Sequence, residues 1–215
     1  LGTVFPSTSA LATTSVEPVA INSARLMTSD DQAIGDRVKS GTDANLQLQV
    51  TLSPQSGDTD RGRVQIWLPE EQLKIVTDKL PLEVDATTGG GTVEIRRNRQ
   101  QKLSLNWFNV ENTATFSVTL PVQLGTPMTR YALPVMIGDA TTRLSPLEIL
   151  TGDASEKAIQ QPVDENRWPS RVVDRLAANE QAEKTESAHV GDAETEAATA
   201  QSTAQNEARK SAQNA

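Results

Sequence analysis

The chain has 215 residues, 36% of them hydrophobic and only 3% aromatic, with a formal net charge of −8 and no cysteine. The acidic balance argues against a general nucleic-acid binder, which needs clustered Lys and Arg to displace counterions from phosphates. The missing cysteines exclude a disulfide framework, a thiol nucleophile and a cysteine-based zinc site, and no run of about eighteen apolar residues is present to cross a membrane as a helix.

Residues 1–12, Leu1-Gly-Thr-Val-Phe-Pro-Ser-Thr-Ser-Ala-Leu-Ala12, close on a small-x-small pattern and read as the remnant of a signal peptide. An extracellular location, secreted or cell-surface associated, is therefore expected. Residues 13–18 form a polar lead-in, and residues 19–150 show the period-two alternation of half-buried strands.

The clearest strand is Leu46-Gln-Leu-Gln-Val-Thr-Leu52. Leu46, Leu48, Val50 and Leu52 share one face, with Gln47, Gln49 and Thr51 on the other. Pro54 stops it, a polar loop over 56–62 follows, and Val64, Ile66 and Leu68 resume the pattern until Pro69. A short strand is expected over 73–76, and another at Val93 and Ile95 after three glycines. The polar turn Arg97-Asn98-Arg99-Gln100 then makes a hairpin with the strand of Leu103, Leu105 and Trp107. Phe116, Val118 and Leu120 form the next strand, and Tyr131, Leu133, Val135 and Ile137 another. Pro134 confines that one to a sheet edge or a bulge, because proline cannot donate to the ladder. Residues 144–150 are the last strand. Eight or nine short strands with these turns predict an all-β fold, an antiparallel Ig-like or adhesin-type β-sandwich over 19–150.

Residues 151–215 differ in character, since after Leu176 the sole branched aliphatic residue is Val190. That composition predicts a disordered stalk or linker, with a short helix over 170–184 starting at Pro169-Ser170 and carrying Val172, Val173 and Leu176 on one side.

Few residues offer chemistry. The sole histidine, His189, lies in the tail, which leaves no histidine for a triad within the strands. The acidic pairs Asp30-Asp31 and Glu70-Glu71 are adjacent, and neighbours on a strand point apart, so they read as solvated charges rather than a glycosidase pair. No catalytic residue is expected, and the chain is read as a non-enzyme. Asp58 and Asp60, in Asp58-Thr-Asp-Arg-Gly62, are the candidate ligands for a weak calcium site. Arg63 stands where a calcium loop requires glycine and Pro69 where it requires glutamate, which favours a plain polar turn. Trp67 has the outward parity of its strand and is a candidate sugar-stacking platform, or else a cover for the sandwich edge. Arg96, Arg97, Arg99 and Lys102 cluster at the hairpin tip as candidate contacts for anionic glycans or teichoic acids, or else as a solvated turn.

The segments Gly62-Arg-Val-Gln-Ile-Trp-Leu-Pro-Glu-Glu-Gln-Leu73, Lys102-Leu-Ser-Leu-Asn-Trp-Phe-Asn-Val110 and Ala114-Thr-Phe-Ser-Val-Thr-Leu-Pro-Val122 occur in a familiar order. A strand ending in Leu-Pro, a strand bearing Trp and a Phe-x-Val strand resemble the bacterial Ig-like adhesin modules of Gram-positive, lactobacillal-type surface proteins. The resemblance covers roughly residues 40–150. It implies a non-catalytic module of a cell-wall or cell-surface protein, binding an extracellular protein or glycan. The chain departs from such proteins in having no Leu-Pro-x-Thr-Gly sorting signal, so it is read as part of a longer surface protein or as a released product. The lysine–asparagine cross-link that some of these modules carry is not expected, since residues 144–150 contain no asparagine. The alternative function is an accessory carbohydrate-binding or scaffolding module of a secreted glycan-degrading protein.

Overall fold

The computed structural model describes residues 18–54, 61–152 and 160–188. The expected signal remnant, the Asp58 and Asp60 loop and His189 lie outside them. Two compact units result, residues 1–163 and 164–215. In the second, Asp164 caps a 3-10 turn at Glu165–Arg167 by accepting from the Asn166 N–H, and residues 170–188 are helical, following the Pro169-Ser170 start signal.

Apart from a 3-10 turn at Thr77–Lys79, the regular elements described in the first unit are strands: β1 (Val19–Met27), β2 (Arg37–Lys39), β3 (Asp43–Leu52), β4 (Gly62–Trp67), β5 (Leu73–Ile75), β6 (Leu82–Asp85), β7 (Thr92–Arg97), β8 (Leu103–Phe108), β9 (Ala114–Leu124), β10 (Met128–Tyr131), β11 (Pro134–Ile137), β12 (Ala140–Arg143) and β13 (Leu147–Leu150). They form a four-stranded sheet in the order β1-β3-β9-β5, a six-stranded sheet β12-β11-β4-β8-β7-β6, and a small sheet β10-β13-β2. Among the described residues, the strands of these sheets pair antiparallel except β13 with β2.

Alternation in sequence becomes a two-sided sheet. On β3, Leu46, Leu48, Val50 and Leu52 are buried, and on β9 so are Ala114, Phe116, Val118, Leu120, Val122 and Leu124. The register Leu48↔Val118 and Val50↔Phe116 places these rows side by side on one face. The six-stranded sheet contributes Ile66, Val93, Ile95, Leu103, Leu105 and Trp107 to the same apolar cluster. The buried faces of the sheets thus meet in one core, the arrangement of an antiparallel β-sandwich.

Two expectations change. The strand expected over Tyr131 to Ile137 is two strands, because the chain leaves the small sheet after Tyr131 and enters the six-stranded sheet at Pro134. Pro134 begins β11, and β4 meets this strand only at Met136 and Ile137, so the proline interrupts no ladder on that side. The eight or nine expected strands become thirteen, mainly because β2, β6 and β12 are short strands without a row of fully buried residues.

Candidate ligand-binding site

The face of the six-stranded sheet turned away from the core is built around β8. Register fixes its rows. Arg63 of β4 and Glu94 of β7 flank Asn106, Gln65 and Arg96 flank Ser104, and Thr92 lies beside Phe108. These residues alternate with the buried Leu103, Leu105 and Trp107, so all of them take the outward side.

The middle strand carries the short polar side chains of this face, and its neighbours carry the long cationic ones. Ser104 and Asn106 are buried, whereas Arg63 and Arg96 are exposed on either side. With two strand spacings between them, β4 and β7 run about 9.5 Å apart. The result is a trough with a polar floor, walled by Arg63 and Gln65 on β4 and by Glu94 and Arg96 on β7. Arg63 Nε donates to Asn106 Oδ1 at 3.0 Å. The Asn106 amide donates to the Glu94 carbonyl and to Ser104 Oγ, each at 3.3 Å. Arg96 donates to Glu94 Oε1 at 3.3 Å and keeps 58% of its side chain exposed. Arg61, Phe108 and Trp107 complete a cavity of about 590 Å³.

Gly62 shapes the end of this trough. It is register partner to Trp107, and a Cβ built on it would fall inside the indole ring, so only glycine lets the ring lie across β4. A second cavity of about 570 Å³ lies on the other side of Arg96, between the β7–β8 hairpin and Leu80-Pro81.

The residues singled out in sequence are dispersed by this geometry. Arg96 lines both cavities, and Arg97 lines only the second. Arg97 has the opposite parity, with 16% of its side chain exposed, and makes two contacts to Glu70, Nη1 to Oε1 at 3.1 Å and Nη2 to Oε2 at 3.0 Å. Arg99 and Lys102 are exposed near the tip, and neither lines either of these two cavities. Trp67 lies on the outward side opposite Met136, half-buried, about 13 Å along the strand from Arg63. Sequence reasoning missed Arg63, Asn106 and Phe108. Outward parity marks Arg63 with Trp67, but its pairing with Asn106 depends on the β4–β8 register.

Among curated proteins, none matches the sequence. A family model described as "Putative adhesive domain (group 8)" matches residues 11–153, more than half of the chain. All thirteen strands fall inside that span. The chain therefore belongs to this group of adhesive domains, a class of modules that bind a ligand outside themselves.

Proposed function

We propose that the chain is a non-catalytic adhesion module displayed outside the cell, with residues 19–150 presenting the binding surface and residues 151–215 serving as its stalk. One observation carries this reading: the adhesive-domain match ends at residue 153, just beyond the last strand, Leu147–Leu150. The export-like pattern of residues 1–12 and the Ala, Glu, Gln and Thr content of the C-terminal segment support it. The engagement of Glu70 with Arg97 ties one carboxylate of that acidic pair into an ion pair within the chain, which supports a non-catalytic reading of it. Half-burial of Trp67 beside the buried Met136 favours adhesion over an accessory carbohydrate-binding module built on a tryptophan platform.

The full chain coupled to beads is expected to retain those beads on intact cells, extracellular-matrix proteins or immobilised glycans, well above beads carrying serum albumin. Retention no better than the albumin control on all three surfaces overturns the adhesion reading, and release of reducing ends from a polysaccharide by the soluble chain overturns its non-catalytic part.

A further inference from the structure

We propose that the outward trough around Asn106 is a binding site for an acidic sugar residue of a glycan, its carboxylate or sulfate held between Arg63 and Arg96. This rests on the adhesion reading and names the ligand chemistry for it.

Charge is the first argument. Arg63 and Arg96 line one cavity from the two sides of β8 in a chain whose net charge is −8. Among the described residues, Glu94 is the acidic partner of Arg96, and Arg63 uses Nε on the neutral Asn106 amide. The terminal nitrogens of Arg63 donate to no other described side chain. An exposed guanidinium fixed through Nε keeps its two Nη groups for the fork-like recognition of a carboxylate or sulfate.

Shape is the second. The trough exists because Asn106 on the middle strand is shorter than the arginines that line the cavity with it, so an anion approaching them meets a preformed site. The Asn106 amide is fully engaged in holding Arg63, Ser104 and the Glu94 carbonyl, which makes it a positioning residue. Phe108 lies two residues along the same outward row and is half-buried at the cavity wall. Its ring offers an apolar surface to the C–H face of a sugar, which a bare phosphate or sulfate does not use. Both cavities fall in the size range of small-ligand sites, roughly 300–1,000 Å³, and share Arg96. One acidic sugar in the first leaves the second for the adjoining residue of the same polymer.

The test is calorimetric titration of the full chain with four probes: an oligouronate, a sulfated oligosaccharide, a neutral oligosaccharide of equal length and inorganic sulfate. One of the two acidic oligosaccharides is expected to bind, identifying the acid group, at least tenfold more tightly than the neutral one, and to weaken as salt rises. Arg63→Ala and Arg96→Ala are each expected to lose at least tenfold in affinity. Phe108→Ala loses affinity for the saccharide without changing the response to sulfate, and Lys39→Ala, on β2, changes neither. Circular dichroism and thermal melts keep loss of binding separate from loss of fold. Wild-type beads that adhere while Arg63→Ala and Arg96→Ala bind saccharide as the parent does, or while only Arg99→Ala or Lys102→Ala loses it, overturn the trough and leave the adhesion reading standing. Equal binding of sulfate and oligosaccharide at the trough also overturns the acidic-sugar assignment. Beads that adhere to nothing remove the broader reading instead.

Discussion

Gly62 and Trp107 show how one small side chain sets the end of the candidate site. The indole occupies the volume that a Cβ at position 62 would need, so Gly62→Ala overpacks a site where the ring is 8% exposed. Such insertions typically cost about 1–3 kcal/mol. The expected result is a lower urea midpoint for Gly62→Ala, with a much smaller additional loss when Trp107→Phe has already removed the benzo ring that the new carbon meets. A double-mutant cycle checks this, and additive losses would show that the two residues do not share that space. Trp107 Nε1 is buried without a hydrogen-bond partner among the described residues, so the packing of the ring outweighs an unmade donor bond, itself worth about 1–3 kcal/mol. The core position of Trp107 was legible, because it shares parity with Leu103 and Leu105. Arg63 was not, because its meaning comes from Asn106, forty-three residues away.

At the scale of elements, the β7–β8 hairpin carries its own instructions. Asn98 Oδ1 accepts from the backbone N–H groups of Gln100 and Lys102 at 2.9 and 3.0 Å, and Gln101 closes the turn with φ of 60°. The polar run read as a turn from sequence is therefore held by the Asn98 side chain together with the backbone bonds of Asn98 N–H to the Lys102 carbonyl and Gln101 N–H to the Asn98 carbonyl. Asn98→Ala is expected to cost about 1–3 kcal/mol, two hydrogen bonds at about 0.5–1.5 kcal/mol each. Because Arg96 sits on the adjoining strand, acidic-saccharide affinity should fall along with the melting temperature, and a melt paired with a titration tests both. Other elements were less legible. β2 is Arg37-Val-Lys39 and β12 is Ala140-Thr-Thr-Arg143, so neither has two apolar side chains in alternation to announce a buried face. β9 runs through Pro121, where a strand end is the usual reading. The Pro121 carbonyl accepts from the Val76 N–H on the β5 side, and a residue's N–H and C=O point to the same side of a strand. The missing N–H therefore faces the chain leaving β5 and not the β3 ladder, which continues past it.

Across the whole molecule, the strands that close the sandwich come from distant parts of the chain. β13 pairs in parallel with β2, Ile149 beside Val38, and antiparallel with β10, so the small sheet exists only once residue 150 has been made. Alternation predicts which side of a strand is buried, and it did so for β3 and β9. It is silent on which strands become neighbours, since many pairings bury the same rows equally well. The trough depends on such neighbours, β4, β8 and β7 in that order, and this is why sequence reasoning reached Arg96 but not Arg63, Asn106 or Phe108. The same dependence makes the C-terminal boundary testable. Val163 packs against the core cluster, and the Gln161 carbonyl accepts from the Thr129 N–H at 3.2 Å. A chain ended at 163 keeps those contacts, whereas one ended at 146 loses β13 with the fully buried Ile149 and the nearly buried Leu147. Those two side chains alone are worth about 3–6 kcal/mol at 1.5–3 kcal/mol each, a large share of the 5–15 kcal/mol that usually separates folded from unfolded. The shorter chain is expected to show a urea midpoint below half that of the longer one, or no cooperative transition, while the longer one unfolds in a single step. Coincident midpoints for the two would mean that β13 contributes little to closing the sandwich, against the burial of both its inward residues.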